Sequence, residues 1–180
     1  MTPDYGVKDV VYFIAKRLRC FHNAGRLKLL IFLAQYGVDP KRRIACEYRC
    51  GGRPLARAEF YLWPPDIVSD EVLNALEEVE FDLVIDAVGP KLCYGGPAPQ
   101  LPPPLAARLS AVVEKYGGWK VWELQRHIKR LMGWSVEERY AAYLGYTVYA
   151  YFYGEGYRFA VREVCTQALD GAPSAVPGLS

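Results

Sequence analysis

The side chains with catalytic potential in this chain are carboxylates, because only two histidines, His22 and His127, are present for acid and base chemistry near neutral pH. A hydrolase that uses carboxylates would draw on four closely spaced aspartates: Asp66, Asp70, Asp82 and Asp86. A helix start and the solvent face of a hairpin explain the same residues without catalysis. The sequence lacks the G-x-S-x-G, G-x-x-x-x-G-K-[ST], G-x-G-x-x-G and H-E-x-x-H motifs. We therefore expect no catalytic residues and no enzymatic activity, with the carboxylate-based hydrolase as an alternative.

Cysteine and histidine spacing does not match a metal site. Cys46 and Cys50 are the only closely spaced pair among five cysteines, and zinc sites normally use two such pairs, or one pair with histidines. We therefore expect no metal and no cofactor. Five cysteines cannot all pair within one chain, so at least one is free or bonded to another chain. The low content of Asn and Gln is typical of a thermophile, in which cytosolic disulfides are more common.

Charge is distributed unevenly along the chain. The net charge is +2, but the balance is +7 over residues 1–62, −8 over residues 63–90 and +3 over residues 91–180. Such asymmetry can mark a surface for a charged partner. Two solvated faces of opposite sign explain it equally well.

Two basic clusters are candidates for contact with nucleic-acid phosphates. The first is a run of consecutive residues, Lys41, Arg42 and Arg43. The second lies along one side of a predicted helix and comprises Arg126, Lys129 and Arg130. DNA binding is therefore an alternative to protein binding, although solvated helix faces need no partner.

An acidic segment and a tyrosine-rich segment are candidates for binding another protein. The acidic candidates are Asp66, Asp70, Glu71, Glu77 and Glu78. Seven of the 14 tyrosines lie between residues 140 and 157, and tyrosine is favoured at interfaces because it buries area while keeping a polar hydroxyl. The tyrosine candidates are Tyr143, Tyr149, Tyr151 and Tyr153. Homo-oligomerisation and ordinary core packing are the alternatives for this segment.

Hydrophobic periodicity predicts the elements that position these residues. Apolar residues three and four apart predict helices over residues 7–20, 69–80, 105–117, 119–133 and 135–145, and a highly apolar helix over residues 26–38 at the centre of the core. Alternating patterns bounded by turn residues predict strands over residues 42–49, 57–63 and 157–164, and a hairpin over residues 81–96. Residues 145–157 could form a strand or a short helix.

The segment around the two prolines, residues 57–80, is predicted to be a strand, a turn and a capped helix. Alternation predicts that Ala58, Phe60 and Leu62 are buried. The strand should end at residues 64–65, because proline cannot donate a backbone hydrogen bond. Ser69 is predicted to cap the helix that follows.

Length and composition indicate a single globular domain. The 180 residues are 52% hydrophobic and 23% charged. We expect an α+β fold, helical and winged-helix-like with a small antiparallel sheet or hairpin, over residues 1–167, and a flexible tail over residues 168–180. The longest apolar-rich run, residues 29–38, is shorter than a membrane span of about 20 residues. We expect a cytoplasmic protein without membrane contact.

Three segments together resemble a known family. The segment "RLKLLIFLAQ", residues 26–35, is similar to the K-L-Q-K-L-L-Y-F-A-Q helix of the SocA-like and Panacea-domain antitoxins and the related YwgA-like proteins. It departs from that pattern at Lys28 and Leu29. The segment "EFYLWPPDIVSDEVLNAL" is similar to the family's strand, Gly-Pro turn and helix, with Pro-Pro in place of Gly-Pro. The segment "LSAVVEKYGGWKVWELQRHIKRL" is similar to a third motif, so the resemblance covers residues 8–132.

The resemblance implies a function without catalysis. Proteins of that family act as antitoxins, or as an adaptor that delivers a toxin to a protease, by binding another protein. It implies that this chain is a regulatory protein whose partner is a toxin or another regulatory target. A DNA-binding winged-helix regulator is the alternative.

Overall fold

The structure, a computed structural model, describes residues 4–49, 54–63, 66–133 and 147–148. Within these residues the helices are α1 (Val7–Leu18), α2 (Gly25–Tyr36), α3 (Pro40–Arg49), α4 (Asp70–Glu78), α5 (Pro103–Tyr116) and α6 (Val121–Leu131). The strands are β1 (Cys20–Phe21), β2 (Tyr61–Leu62), β3 (Ile67–Val68), β4 (Asp82–Ile85) and β5 (Pro90–Cys93). The fold is therefore α+β, as predicted. The predicted elements at 135–145 and 157–164 and the tail lie outside the described residues.

Helix α2 lies at the centre of the core, as its composition predicts. Nine of its 12 residues are buried, and it contacts α1, α3, α5 and α6. A helix that is apolar on all sides must be covered on all sides, and these four helices cover it. None of the described helices combines the length and apolar content needed to cross a membrane.

The predicted capped helix after the two prolines is also confirmed. Ser69 has extended backbone angles, and its Oγ accepts a hydrogen bond from the amide of Val72 at 3.4 Å. Val72 and Ala75 are buried, and α4 packs against α1. The acidic residues of α4 therefore lie on the side away from the core.

The strand predicted over residues 42–49 is wrong, because these residues form α3. Pro40 suits the first turn of a helix, where its missing amide hydrogen is not needed. Among the α3 residues whose burial the structure describes, Arg43, Ile44 and Glu47 are buried, spaced as on one face of a helix. Two of the three are charged, so hydropathy did not reveal the helical period.

The strand predicted over residues 57–63 is shorter than expected, but its burial pattern is confirmed. Ala58, Phe60 and Leu62 are fully buried. Only β2 is extended and paired, forming an antiparallel hairpin with β3. Thr147 forms an antiparallel bridge with Tyr61 on the other side of β2. The rest of the segment 145–157 lies outside the described residues.

The second sheet is three-stranded, in the order β1-β5-β4. Strands β4 and β5 form the predicted hairpin, with Asp82 opposite Cys93 and Ile85 opposite Pro90. The alternation of apolar and polar residues over 81–87 predicts a half-exposed strand, but all four residues of β4 are exposed. Strand β4 lies at the sheet edge, and its aliphatic side chains lack the core contacts that the alternation predicts.

Candidate functional site

Helix α2 uses its few polar side chains to hold neighbouring segments in place. Arg26 Nη1 donates hydrogen bonds to the carbonyl oxygens of Gly117, at 2.9 Å, and of Trp119. These carbonyls belong to the turn between α5 and α6. Burial lowers the pKa of Arg26, but arginine is so strong a base that it keeps its charge in proteins. The start of α6 is therefore fixed to the core.

Gln35 of α2 holds in place the segment that leads into β2. Its side-chain oxygen accepts hydrogen bonds from the amides of Ala56, at 3.1 Å, and Ala58, at 3.2 Å, and its nitrogen donates to the carbonyl of Ala58 at 2.9 Å. Gln35 is fully buried. One amide side chain thus satisfies three backbone groups that have no strand beside them, as buried polar groups require.

Asp66 lies in the interior and not on the predicted acidic surface. Only 3% of its side chain is exposed, and its Oδ1 lies 2.8 Å from Lys28 Nζ. Gln125 of α6 donates to its other oxygen at 2.7 Å. As a buried residue with these partners, Asp66 joins α2 to α6 and cannot contact another protein. We remove it from the candidate surface.

The remaining acidic candidates lie on α4. At the helix start, Asp70 accepts a hydrogen bond from the Tyr61 hydroxyl at 3.0 Å, and Glu71 accepts one from Ser69 Oγ at 3.1 Å. Near the helix end, Glu78 forms an exposed ion pair with Lys8 at 3.7 Å. Glu77 is exposed. Acidic side chains available to a partner are therefore at the end of α4, beside the start of β4.

The first basic cluster does not form a continuous cationic surface, because Arg43 is fully buried. Its Nε donates to the carbonyl of Val38 at 3.1 Å. Lys41 is exposed, and Arg42 forms an ion pair with Asp39 at 3.6 Å. Arg43 is consequently excluded as a phosphate contact, which leaves two of the three predicted cations.

Arg43 belongs to a buried polar cluster with Glu47. The hydroxyl of Tyr36 donates to Glu47 Oε2 at 2.8 Å. Burial raises the pKa of Glu47 to about 7, opposed by the Tyr36 hydrogen bond and the Arg43 charge. Burial also lowers the pKa of Arg43 to about 10, and the nearby charge of Arg108 acts in the same direction. The cluster lies inside the protein, so it belongs to the core and is not a binding surface.

The β4–β5 hairpin exposes large aliphatic side chains. Relative exposures are 66% for Leu83, 41% for Val84, 76% for Ile85 and 83% for Val88. Scattered apolar residues on a surface are ordinary, but here four of the six residues 83–88 are exposed aliphatic side chains, with Leu83 and Ile85 on one face of β4 and Val84 on the other. Among the strands of residues 4–49, 54–63 and 66–133, none pairs with the outer edge of β4. In an antiparallel strand, alternate residues direct their amide and carbonyl groups to that open edge.

The base of the hairpin is firmly attached to the body. Cys20 and Cys93 form a disulfide that links β1 to β5. The rings of Phe21 and Phe81 meet edge to face with centroids 5.2 Å apart. The amide of Tyr94 donates to the carbonyl of Arg19 at 2.9 Å. The exposed part of the hairpin therefore projects from an anchored base.

The tip of the hairpin is a tight turn closed by Asp86. Its carboxylate accepts hydrogen bonds from the amides of Val88, at 2.9 Å, and Gly89, at 3.1 Å. The Val88 amide, followed by Lys91 and the Gly89 amide, lowers the pKa of Asp86. Gly89 has a φ of 134°, which other residues rarely adopt. The charge of Asp86 is thus used within the hairpin.

The second basic cluster lies beside a pocket on α6. The pocket has a volume of about 210 Å³ and is lined by Trp119, Trp122, Glu123, Arg126, His127 and Arg130. The sequence reasoning identified the arginines but missed the two tryptophans. Trp122 lies four residues before Arg126, and this spacing is the sequence signal that places both on one helix face.

The inner wall of this pocket is an aromatic cluster. The rings of Tyr116 and Trp119 meet edge to face with centroids 4.9 Å apart, and the Trp119 and His127 rings lie 5.5 Å apart. His127 Nε2 lies 3.2 Å from the hydroxyl of Tyr116. Burial, followed by the charges of Lys115 and Arg130, lowers the pKa of His127. This shift favours the neutral ring of His127, which contributes a flat aromatic surface to the pocket.

The carboxylates considered for hydrolysis do not share a site. Asp66 is buried between α2 and α6, whereas Asp86 lies in the exposed hairpin turn and pairs with Lys91 at 3.3 Å. Among the described residues, no group of three or more His, Cys, Asp or Glu side chains is arranged to hold a metal ion. The tyrosine candidates Tyr143, Tyr149, Tyr151 and Tyr153 lie outside the described residues.

No known family, curated protein or solved structure matches this chain. The resemblance to the SocA-like and Panacea-domain proteins therefore stays a prediction.

Proposed function

We propose that this chain is a non-catalytic regulatory protein, antitoxin-like or adaptor-like, that binds another protein along the open edge of β4. The observation that supports this function is the exposure of Leu83, Val84, Ile85 and Val88 beside a strand edge that no other described strand pairs with. We also propose a winged-helix-like arrangement, in which this hairpin is the wing, and a cytoplasmic location.

Strand addition suits this edge better than helix docking. Strand β4 is exposed on both faces, so it offers no groove to receive a helix. It does offer backbone donors and acceptors, which an added strand would satisfy while its side chains cover Leu83 and Ile85 on one face and Val84 on the other. Proteins usually protect such edges with charge, proline or a covering segment. Within the part of the chain that the structure describes, no segment covers this aliphatic edge, which favours a binding role.

The acidic residues around β4 indicate which sequence pattern a partner would have. Residues 63–90 contain eight acidic residues and no Lys or Arg. Glu77, Glu80 and Asp82 are exposed at the entrance to β4. The matching partner is an extended segment with apolar residues at alternate positions and Lys or Arg near one end. Opposite charges would then meet at the strand entrance while the aliphatic side chains pair further along.

A second copy of this chain fits the edge less well. Two β4 strands paired antiparallel about Val84 would place Asp82 of one copy opposite Asp86 of the other. Like charges directly opposite each other destabilise a strand pair. A heterologous basic segment has no such conflict, so we favour it over a homodimer.

Peptide selection tests this proposal without knowledge of the natural partner. A displayed library of random peptides of about 12 residues, longer than a typical strand, is selected against the immobilised chain. We expect enriched peptides to alternate apolar residues and to contain Lys or Arg near one end. The double variant Leu83→Lys/Ile85→Lys should bind such a peptide at least about tenfold more weakly, because it loses two apolar contacts and gains like charge.

A matched control is available on α4, where Leu73 is 46% exposed. Leu73→Lys adds the same charge outside the hairpin and should leave the affinity within about twofold, as expected for a site away from the contact. Failure to enrich any peptide, or equal affinity for the double variant and the Leu73→Lys variant, would refute binding along β4.

A further inference from the structure

The pocket on α6 combines aromatic rings with two exposed arginines. On α6, Glu123 and His127 form one row at a spacing of four, and Trp122, Arg126 and Arg130 form the adjacent row, while Trp119 lines the pocket from the turn before the helix. Residues four apart on a helix lie above one another, so the two rows are adjacent ridges and the pocket lies between them. This arrangement is independent of the hairpin and is not needed for protein binding along β4.

The pocket is built on a rigid support. The Trp119 carbonyl is held by Arg26 of the core helix, and the Trp119 amide donates to the Tyr116 carbonyl at 3.0 Å. The Trp119 ring is fixed between the rings of Tyr116 and His127. In contrast, Trp122 is 55% exposed. A ligand would therefore meet one fixed aromatic wall and one accessible indole.

The charge of the pocket favours an anion. Arg126 and Arg130 are exposed, and neither forms an ion pair within the part of the chain that the structure describes. The one carboxylate in the lining, Glu123, accepts a hydrogen bond from the amide of Lys120 at 3.1 Å at the helix start. Two guanidinium groups one helical turn apart can bind successive phosphates or two oxygens of one phosphate.

We propose that this pocket binds one base of a single-stranded nucleic acid. The base stacks on the tryptophans, and the flanking phosphates contact Arg126 and Arg130. A volume of about 210 Å³ is below the 300–1,000 Å³ of typical sites for whole small molecules, so the pocket takes one planar group of a longer ligand. Stacking on aromatic side chains with arginines along the backbone is the usual chemistry of single-strand binding.

Fluorescence anisotropy with a labelled oligothymidylate of about 12 nucleotides tests the proposal at low salt, about 50 mM, where phosphate contacts are strongest. Binding should quench tryptophan emission. Trp122→Ala should weaken binding by about 5-fold to 100-fold, as expected for loss of one stacked base. Trp63→Ala removes another exposed tryptophan, outside the pocket, and should leave the affinity unchanged.

Salt dependence tests the role of the arginines. Arg126→Ala and Arg130→Ala should each weaken binding and reduce the slope of log affinity against log salt by about 0.7, the value for one contact with a single strand. Lys16→Ala, an exposed cation on α1, should leave the slope unchanged.

Three outcomes would overturn the proposal. The first is no binding of the oligothymidylate at low salt. The second is equal affinity for the Trp122→Ala and Trp63→Ala variants, which would place the contact elsewhere. The third comes from a competition experiment. If thymidine monophosphate or duplex DNA displaces the probe as effectively as unlabelled oligothymidylate does, the ligand is a free nucleotide or a duplex. Failure of binding along β4 would leave these measurements unaffected, because the two surfaces share no residue.

Discussion

Lys28 and Asp66 form a buried ion pair in which Nζ and Oδ1 lie 2.8 Å apart and the two side chains are 17% and 3% exposed. Lys28 is in the central helix, and Asp66 lies at the end of the turn that follows β2. Gln125 of α6 donates to the same carboxylate. One buried carboxylate therefore links the core helix, the β2–β3 hairpin and the helix that forms the α6 pocket.

Loss of Asp66 should destabilise the protein strongly. Asp66→Ala leaves Lys28 largely buried without its carboxylate, and breaking a buried pair in this way costs about 3–5 kcal/mol. The free energy of unfolding, measured by urea denaturation, should fall by about that amount. Asp82→Ala removes an exposed aspartate and should change it by less than about 0.5 kcal/mol. Similar effects of the two substitutions would show that the pair contributes little.

Replacing Gln35 by an apolar residue of similar size should also destabilise the protein strongly. Gln35→Leu leaves two amides and one carbonyl of residues 56–58 buried without partners, each at a cost of about 1–3 kcal/mol. We expect a loss of about 3 kcal/mol or more in urea denaturation. Gln100→Leu, at an exposed position, is the control and should change stability little. A Gln35→Leu variant as stable as the unmodified chain would contradict this role.

The raised pKa of Glu47 predicts a pH-dependent stability. The folded state holds the proton up to about pH 7, whereas the unfolded state releases it near pH 4.5. Stability from this group is therefore fully present below about pH 4.5 and is lost as the pH rises to about 7, by about 3 kcal/mol in total. The free energy of unfolding of Glu47→Gln, relative to that of the unmodified chain, should therefore increase by about that amount as the pH rises from 4.5 to 8.

The measurement is urea denaturation of both proteins at pH 4.5, 6 and 8. Glu114→Gln replaces an exposed glutamate of α5 and serves as the control, for which no such gain is expected. A constant stability difference between Glu47→Gln and the unmodified chain across this range would mean that Glu47 is ionised in the folded protein.

The disulfide between Cys20 and Cys93 should raise thermal stability. It closes a loop between residues 73 apart in sequence, and the chain-entropy estimate for such a loop is about 4 kcal/mol. For a protein of this size, that corresponds to a fall in Tm of roughly 10 °C after loss of the bond. Calorimetry of the Cys93→Ser variant should show this fall, and a reducing agent should lower the Tm of the unmodified chain alone. An unchanged Tm would argue that the bond does not form in solution.

Helices that are either apolar throughout or have a clear apolar stripe were predictable from sequence, whereas α3 was not. The central helix over residues 26–38 and the capped helix after Ser69 follow from periodicity and capping chemistry. Helix α3 was missed because its buried face includes Arg43 and Glu47, whose charges hide the period. The alternation in β4 predicted a half-buried strand, but burial depends on what packs against it, and the edge position of β4 leaves it exposed.

The residues of the candidate sites were only partly predictable, because burial depends on contacts between segments that are distant in sequence. Arg126 and Arg130 were identified from charge, but Trp119 and Trp122 became relevant only when α6 placed them beside those arginines. Asp66 and Arg43 belong to charged segments in the sequence, and yet both are buried. Sequence gives the charge of a side chain, whereas its accessibility depends on contacts between distant segments such as Lys28 with Asp66.

Hydrogen exchange measured by mass spectrometry tests binding along β4 most directly. The chain is compared with and without a saturating amount of the selected basic peptide. If the peptide adds a strand to β4, the amides of residues 82–85 should exchange more slowly in the complex, while those of α6 should be unchanged. Protection confined to α4 or α6, with unchanged exchange in residues 82–85, would contradict the proposed function.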